Sequence, residues 1–194
     1  MKNDNKLKGK DLIHIGIYAA LTCVVITAAS MIGFVPVLLP LIGIVAPLVA
    51  GIPLMLFMTK TKKFGMITIM GVILGAFLWI TGMGYWPCIF GIVCGVIADL
   101  ICRSGSYNSP RLAMIGHGVL SITYFGCMLP LYLDFDAYFS TRQGFGEEYI
   151  TTVAGLLQPW TIPVLVIGGF AAGVAGAWIG QKLLKKHFTP AGIV

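Results

Sequence analysis

Charged side chains are scarce in this sequence: only 10% of its 194 residues are Asp, Glu, Lys or Arg, whereas 58% are hydrophobic. A soluble domain has about 25% charged residues and about 45–50% apolar ones. A chain of this length has too little interior to hide the excess from water, so most apolar side chains must face lipid. The composition therefore excludes a separate soluble domain and indicates an all-α integral membrane protein.

The motifs of several chemistries are also absent. The sequence has no Ser/His/Asp set, no HExxH segment, no paired intramembrane Asp and no glycine-rich phosphate loop. Its five cysteines show no CxxC spacing, so neither a disulfide framework nor a zinc site is indicated. We therefore expect a protein that is not an enzyme, that has no metal site or cofactor, and that cannot drive ATP-coupled transport alone.

Two ionisable residues within apolar segments, Asp99 and His117, have structural explanations. Asp99 precedes Arg103 by one helical turn, so we expect an ion pair that faces the membrane interface. For His117 we expect a structural hydrogen bond in preference to proton relay, although ionisable residues in a membrane often indicate function.

Six apolar segments alternate with polar connections, and a spanning helix needs about 20 mostly apolar residues. The predicted helices cover about 12–33, 35–58, 66–82, 88–101, 112–133 and 152–179 of a single transmembrane domain. Residues 1–11 form a basic N-terminus, residues 134–152 a long loop without secondary structure, and residues 180–194 a tail. Pro47 and Pro53 are expected to kink or unwind the second helix.

Positive charges cluster in alternate connections. With six spans, twelve of the thirteen Lys and Arg residues fall on one side, and only Arg142 falls on the other, in the 134–152 loop. The positive-inside rule makes the basic side cytoplasmic. We therefore predict a multi-pass protein of the bacterial cell membrane with both termini inside, and we interpret the net charge of +6 as a topology signal rather than as nucleic-acid binding.

Aromatic residues collect in the connections on the predicted outer side, together with a few polar groups. An aromatic belt at the lipid interface is one explanation. We favour a small-ligand pocket because the acids and the long loop are not features of a belt. The candidate binding residues are Trp79, Tyr85, Trp86, Tyr124, Met128, Tyr132, Tyr138, Glu147, Gln158 and Trp160.

Small residues recur at four-residue spacing, a pattern that lets helix backbones approach closely in lipid. Most of these pairs are expected to pack within the bundle: Gly71/Gly75, Gly91/Gly95, Gly169/Gly173 and Gly176/Gly180. The first helix carries two more pairs near the cytoplasmic surface, Gly16/Ala20 and Ala19/Cys23. This patch is predicted to dock another membrane protein, with its register open between the two pairs.

Three stretches of the chain are similar to the Trep_Strep integral membrane family: Lys6 to Ala20, the Lys62–Gly65 turn, and Gly95–Ile101 with Gly105–Tyr107. The resemblance covers most of the chain. That family in turn resembles the S components of energy-coupling factor (ECF) transporters, six-helix proteins that capture micronutrients from outside.

The resemblance implies a mechanism. An S component binds its ligand under outer loops, associates with a transmembrane coupling subunit carried by two cytoplasmic ATPases, and topples in the membrane to release the ligand inside. Its docking face is a small-xxx-small pattern on the first helix, which here falls on Gly16/Ala20 or Ala19/Cys23.

Two other functions stay open: a free-standing secondary carrier or channel, and an intramembrane enzyme that uses Asp99 and His117. The ligand is open as well, among vitamins, nucleobase-like compounds, metal ions and haem. A bare metal ion is disfavoured because no histidine cluster lies at the N-terminus or on the outer side, and histidine-ligated haem is disfavoured because all three histidines map to the inner side. Haem ligated by Tyr or Met stays open. The aromatic outer surface favours a flat, partly apolar organic ligand.

Overall fold

A computed structural model describes residues 6–142 and 144–188. Lys2 and residues 189–194 of the predicted tail lie outside this part. Over the described ranges the regular structure is helical, in nine α-helices: α1 (Gly9–Ser30), α2 (Ile42–Lys60), α3 (Met66–Leu78), α4 (Trp86–Ser104), α5 (Pro110–Ser121), α6 (Phe125–Leu133), α7 (Phe135–Ser140), α8 (Glu147–Leu156) and α9 (Thr161–Leu183).

Within the described residues, six stretches are long and apolar enough to cross a membrane, which confirms the predicted all-helical, six-span fold. The fifth span combines α5 and α6 through a short 3₁₀ turn, and the fourth is α4 alone. The six spans are Gly9–Phe34, Pro36–Lys60, Met66–Met83, Trp86–Ser104, Pro110–Leu133 and Thr161–Lys186.

The segment predicted as an unstructured loop is mostly helical. Asp134 begins α7 by accepting a hydrogen bond from the backbone N–H of Ala137 at 3.0 Å, and two glutamates occupy the first turn of α8, where the helix dipole favours negative charge. The last span begins at Thr161 rather than at residue 152. The prediction merged α8 with this span because both are apolar, but Pro159 disfavours helical backbone in the residue before it and separates them.

The connection between the first two spans is unwound at membrane depth. Residues Met31–Phe34 and Pro36–Leu41 form two 3₁₀ turns, and Val35 between them is extended. Pro36 and Pro40 each lack an N–H to donate, which disfavours a continuous α-helix through this stretch. By contrast, α2 stays α-helical through Pro47 and Pro53, where the sequence predicted a kink or unwinding.

Glycines bring pairs of helices into backbone contact, as the four-residue spacing predicted. A methyl group added at Gly71 in α3 would collide with the carbonyl oxygen of Gly91 in α4. One added at Gly51 in α2 would collide with the Gly176 backbone in α9. In a membrane, an apolar side chain gains little by leaving lipid for a neighbouring helix. Close backbone packing of this kind is therefore a main source of the attraction between helices.

Asp99 does not form the predicted ion pair with Arg103. The side chain is buried, and one of its oxygens accepts hydrogen bonds from the N–H groups of Gly65 at 2.8 Å and Thr68 at 3.0 Å. Its other oxygen accepts from the Tyr107 hydroxyl at 2.9 Å. Gly65 has no side chain to cap α3, so Asp99 supplies the cap from the neighbouring helix. Arg103 lies over an aromatic ring instead.

His117 makes the kind of bond that the sequence predicted. Its ring is fully buried, and Nε2 lies 3.1 Å from the carbonyl oxygen of Pro47 in α2. The bond joins the fifth span to the second within the bundle.

The two ends of the bundle differ in charge. Arg142 lies at the end that carries α7 and α8, which we call the loop end. The other described Lys and Arg residues lie at the opposite end, the basic end, where Lys63 Nζ is 2.7 Å from a carboxylate oxygen of Asp11. The positive-inside rule predicts that the basic end faces the cytoplasm.

Candidate functional site

A cavity of about 240 Å³ lies at the loop end. It is bordered by the last turns of α1, the unwound α1–α2 connection, the first turns of α2, the end of α3, the start of α6, and the α7–α8 segment. Its lining is mostly apolar, with a few hydroxyl groups and one cation. The lining residues are Ile26, Thr27, Ser30, Met31, Gly33, Phe34, Leu39, Ile42, Ala46, Phe77, Leu78, Thr81, Met83, Tyr124, Cys127, Met128, Tyr138, Arg142, Phe145 and Tyr149.

Aromatic rings from α7 and α8 cover the cavity. Phe139 is buried at the centre of this cover, with its ring centroid 5.9 Å from that of Phe145 and 6.3 Å from that of Tyr149. The rings of Phe145 and Tyr149 lie 4.4 Å apart. Contacts of this kind between aromatic rings are favourable beyond the apolar area they bury, so α7 and α8 form a packed layer over the ligand space rather than two independent loops.

Arg142 brings a positive charge to the cavity wall. Its Nη1 donates to the Tyr138 carbonyl oxygen at 2.6 Å, and the guanidinium lies 3.6 Å from the centre of the Tyr138 ring. Its Nη2 donates to the carbonyl oxygen of Gly82, between α3 and α4. Burial raises the pKa of the Tyr138 hydroxyl above its ordinary value. The contacts fix the guanidinium between the cover and the bundle.

Tyr124 supplies a polar group deep in the site. Its side chain is 5% exposed, and its hydroxyl has no hydrogen-bond partner within the described part of the chain. It belongs to the 3₁₀ turn Ile122–Tyr124 between α5 and α6 and is one of the residues that line the cavity. A buried polar group without a partner costs about 1–3 kcal/mol, which a ligand atom can recover.

Three of the predicted binding residues line the cavity: Tyr124, Met128 and Tyr138. The other seven do not. Tyr85 and Trp86 lie along an outer groove beside the α3–α4 turn, and Tyr132 is hydrogen-bonded to Thr161 at 2.5 Å. The remaining four are Trp79, Glu147, Gln158 and Trp160, all with exposed side chains.

The sequence-based selection missed the contribution of the first span. Ile26, Thr27 and Ser30 lie within an apolar run, where nothing distinguishes a cavity wall from a lipid-facing surface. A usable signal lies just beyond them, since Gly33 is followed by prolines at 36 and 40. Unwound backbone at membrane depth is tolerated where it is buried in protein or lines a cavity, so this cluster indicates a site.

The two small-residue pairs on α1 face different ways. Ala19 is 2% exposed and packs in the core, and Cys23 is half-buried. Gly16 and Ala20 are exposed, and a methyl group added at Gly16 would meet no atom within 4 Å. The open surface of α1 therefore carries the Gly16/Ala20 pair.

Across 6–142 and 144–188, no three His, Cys, Asp or Glu side chains lie together as a metal site requires.

A family model described as a hypothetical bacterial integral membrane protein (Trep_Strep) matches residues 9–189. The chain therefore belongs to the Trep_Strep family, and it is a bacterial multi-pass membrane protein. No curated protein and no solved structure matches it.

Proposed function

Because the chain is a bacterial membrane protein of the Trep_Strep family, we propose that it is the S component of an ECF-type importer. In this role it captures a small organic micronutrient and delivers it with a transmembrane coupling subunit and two cytoplasmic ATPases. The observation that carries the proposal is the cavity of about 240 Å³ at the loop end, opposite the basic end. The positive-inside rule predicts that this cavity faces the outside of the cell.

The interior below the cavity favours binding over conduction. Between the cavity and the basic end, the bundle is filled by side chains such as Leu54, Phe57 and Met70, which are almost completely buried. A channel needs a continuous polar or open path, whereas a binding subunit needs a closed floor. Release towards the basic end then requires movement of the whole protein, which a coupling subunit would provide.

The exposed face of α1 supports a docking role. α1 is the least buried of the six spans, and Gly16 and Ala20 form a flat patch flanked by the exposed side chains of Ile13 and Ile17. Small residues allow a partner helix to approach to backbone distance. The glycines of α2, α3, α4 and α9 already make such contacts within the bundle, whereas a methyl group added at Gly16 would meet no atom within 4 Å.

The energy source must lie outside this chain if the proposal holds. The sequence has no glycine-rich phosphate loop, so ATP hydrolysis would come from the partner ATPases. Concentrative uptake by the protein alone is therefore not expected.

The proposal is tested by purifying the tagged protein from its native membrane in mild detergent, with and without crosslinker. We expect a second membrane subunit and two ATPases to co-purify, and mass spectrometry identifies them. Recovery of the protein alone under both conditions would overturn the proposal and put the free-standing carrier first. Uptake by liposomes that contain only this protein would also overturn the proposal and favour the free-standing carrier.

A matched pair of variants tests the docking face. Gly16→Leu/Ala20→Leu fills the patch on α1, whereas Ala171→Leu/Ala175→Leu adds the same bulk at an exposed four-residue spacing on α9. We expect the α1 variant to lose the coupling subunit and the α9 variant to retain it, with both folded as judged by melting temperature. If only the α9 variant loses the coupling subunit, the docking face lies on α9 instead of α1.

A further inference from the structure

We infer that the loop-end cavity takes a planar aromatic or heteroaromatic carboxylate whose acid group binds Arg142 and whose far edge hydrogen-bonds to Tyr124. The inference names the substrate class of the proposed importer and rests on that proposed function. It is argued from the donors, the charge, the walls and the size of the cavity.

Arg142 has donors left for a ligand. A guanidinium carries five N–H groups. Nη1 donates to the Tyr138 carbonyl oxygen at 2.6 Å and to the Thr141 hydroxyl at 3.4 Å, and Nη2 donates once, to Gly82. One N–H on Nε and one on Nη2 therefore have no acceptor in the described structure. A carboxylate accepts two parallel bonds from such a fork.

Among the residues that the structure describes, the positive charge of Arg142 also has no counter-charge. The acids of the loop end have exposed side chains, and within the described ranges none of them forms an ion pair with Arg142. These acids are Asp134, Asp136, Glu147 and Glu148. A partly buried charge is costly unless it is paired, so the cavity is complementary to one negative charge. A phosphate monoester carries more than one negative charge at neutral pH and would be matched less well by a single cation.

The walls and the volume set the shape of the ligand body. Six of the residues that line the cavity are aromatic, among them Phe77, Phe145 and Tyr149, and most of the others are aliphatic or methionine. Flat rings stack favourably on such walls. A space of about 240 Å³ lies below the usual range of about 300–1,000 Å³ for small-molecule sites. A ligand body of one or two fused rings suits a space of this size.

Tyr124 defines the opposite pole of the ligand. Its hydroxyl is buried and has no partner among the described residues, and it lies within the fifth span, whereas Arg142 lies in the connection above it. A ligand that satisfies both groups carries its acid at one end and an amine, hydroxyl or ring nitrogen at the other. The site thus selects against aromatic acids whose far edge is purely hydrocarbon.

The experiment compares aromatic acids with their neutral amides, using purified protein in lipid nanodiscs. The pairs are nicotinate with nicotinamide, 4-aminobenzoate with 4-aminobenzamide, and indole-3-acetate with indole-3-acetamide. We expect at least one acid to raise the melting temperature of the protein. By calorimetry, this acid should bind at least about tenfold more tightly than its amide, as expected for hydrogen bonds to a charged group. Equal binding of acids and amides, or binding of none of the three acids, would overturn the inference.

Variants assign the effect to the two residues. Arg142→Gln should abolish the preference for the acid, whereas Arg111→Gln removes an exposed charge at the basic end and should leave it unchanged. Tyr124→Phe should weaken 4-aminobenzoate several-fold without changing the acid-to-amide ratio. An acid preference that survives Arg142→Gln would overturn the role of this residue, provided that the unliganded variants melt as the parent does.

Mass spectrometry of molecules that co-purify with the protein separates this inference from the proposed function. A neutral or cationic occupant recovered together with the ATPases would overturn the carboxylate and keep the importer. An aromatic acid recovered without ATPases, even after crosslinking, would keep the carboxylate and overturn the importer.

Discussion

The hydroxyl of Tyr149 donates a hydrogen bond to the backbone carbonyl oxygen of Gly33. This bond joins α8 to the unwound connection between α1 and α2, on opposite sides of the cavity mouth. The two segments are 116 residues apart in the chain, and the carbonyl is available because the backbone at Gly33 is not α-helical. The unwound connection therefore has a role in holding the cover closed.

Tyr149→Phe should loosen this cover while leaving the bundle intact. One hydrogen bond contributes about 0.5–1.5 kcal/mol, so amide exchange in α8 should rise by about two- to tenfold, with little change in melting temperature. The measurement is hydrogen–deuterium exchange of the peptide that covers Glu147–Leu156. The control is Tyr132→Phe, which removes a bond to Thr161 away from the cavity. If both variants exchange like the parent, α8 is held by ring packing alone.

Substitution by alanine should lower the stability of the protein at Gly71 and raise it at Gly16. In Gly71→Ala the new methyl group collides with the Gly91 carbonyl in α4, and overpacking of this kind costs about 1–3 kcal/mol. In Gly16→Ala the methyl group meets open space, and alanine is the better helix former by about 0.5–1 kcal/mol. Thermal unfolding in one detergent measures both. A stable Gly71→Ala variant would contradict the close contact between α3 and α4.

Hydropathy predicted the spans, and small-residue spacing predicted the internal contacts. Both signals come from residues that lie close together in the sequence. The cavity depends on which side of a helix faces the protein, and in a membrane both sides are apolar. Val24 and Ile26 are both aliphatic residues of α1, yet the first is 69% exposed and the second 3% exposed. No local pattern separates them.

The outer site was recognised only in part for a second reason. Aromatic residues serve both as ligand walls and as anchors at the lipid interface. Composition alone selected Trp79 and Trp160, which lie exposed outside the cavity, along with Tyr124 and Tyr138, which line it. Arg142 belongs to the site because α7 folds it onto Gly82. The two residues are 60 positions apart in the chain, so no sequence pattern predicts their contact.

Asp99→Ala should destabilise the protein strongly, because it leaves the first-turn N–H groups of α3 without their acceptor. Loss of a cap costs about 0.5–2 kcal/mol, and each buried donor left unpaired costs about 1–3 kcal/mol. We expect a loss of at least about 2 kcal/mol. Tyr107→Phe removes one bond to the same carboxylate and should cost about 1 kcal/mol. An enzymatic role for Asp99 would instead require a variant that folds normally and loses turnover.

Labelling with a membrane-impermeant maleimide tests the orientation on which capture from outside depends. Ser140 ends α7 at the loop end and Ser104 ends α4 at the basic end, and both side chains are exposed. In intact cells, Ser140→Cys should be labelled above the background of the five native cysteines, whereas Ser104→Cys should be labelled only after permeabilisation. The positive charge at the basic end favours its retention in the cytoplasm. The reverse pattern would open the cavity to the cytoplasm, where it could not receive a ligand from outside, and the importer proposal would fail even if the cavity binds aromatic acids.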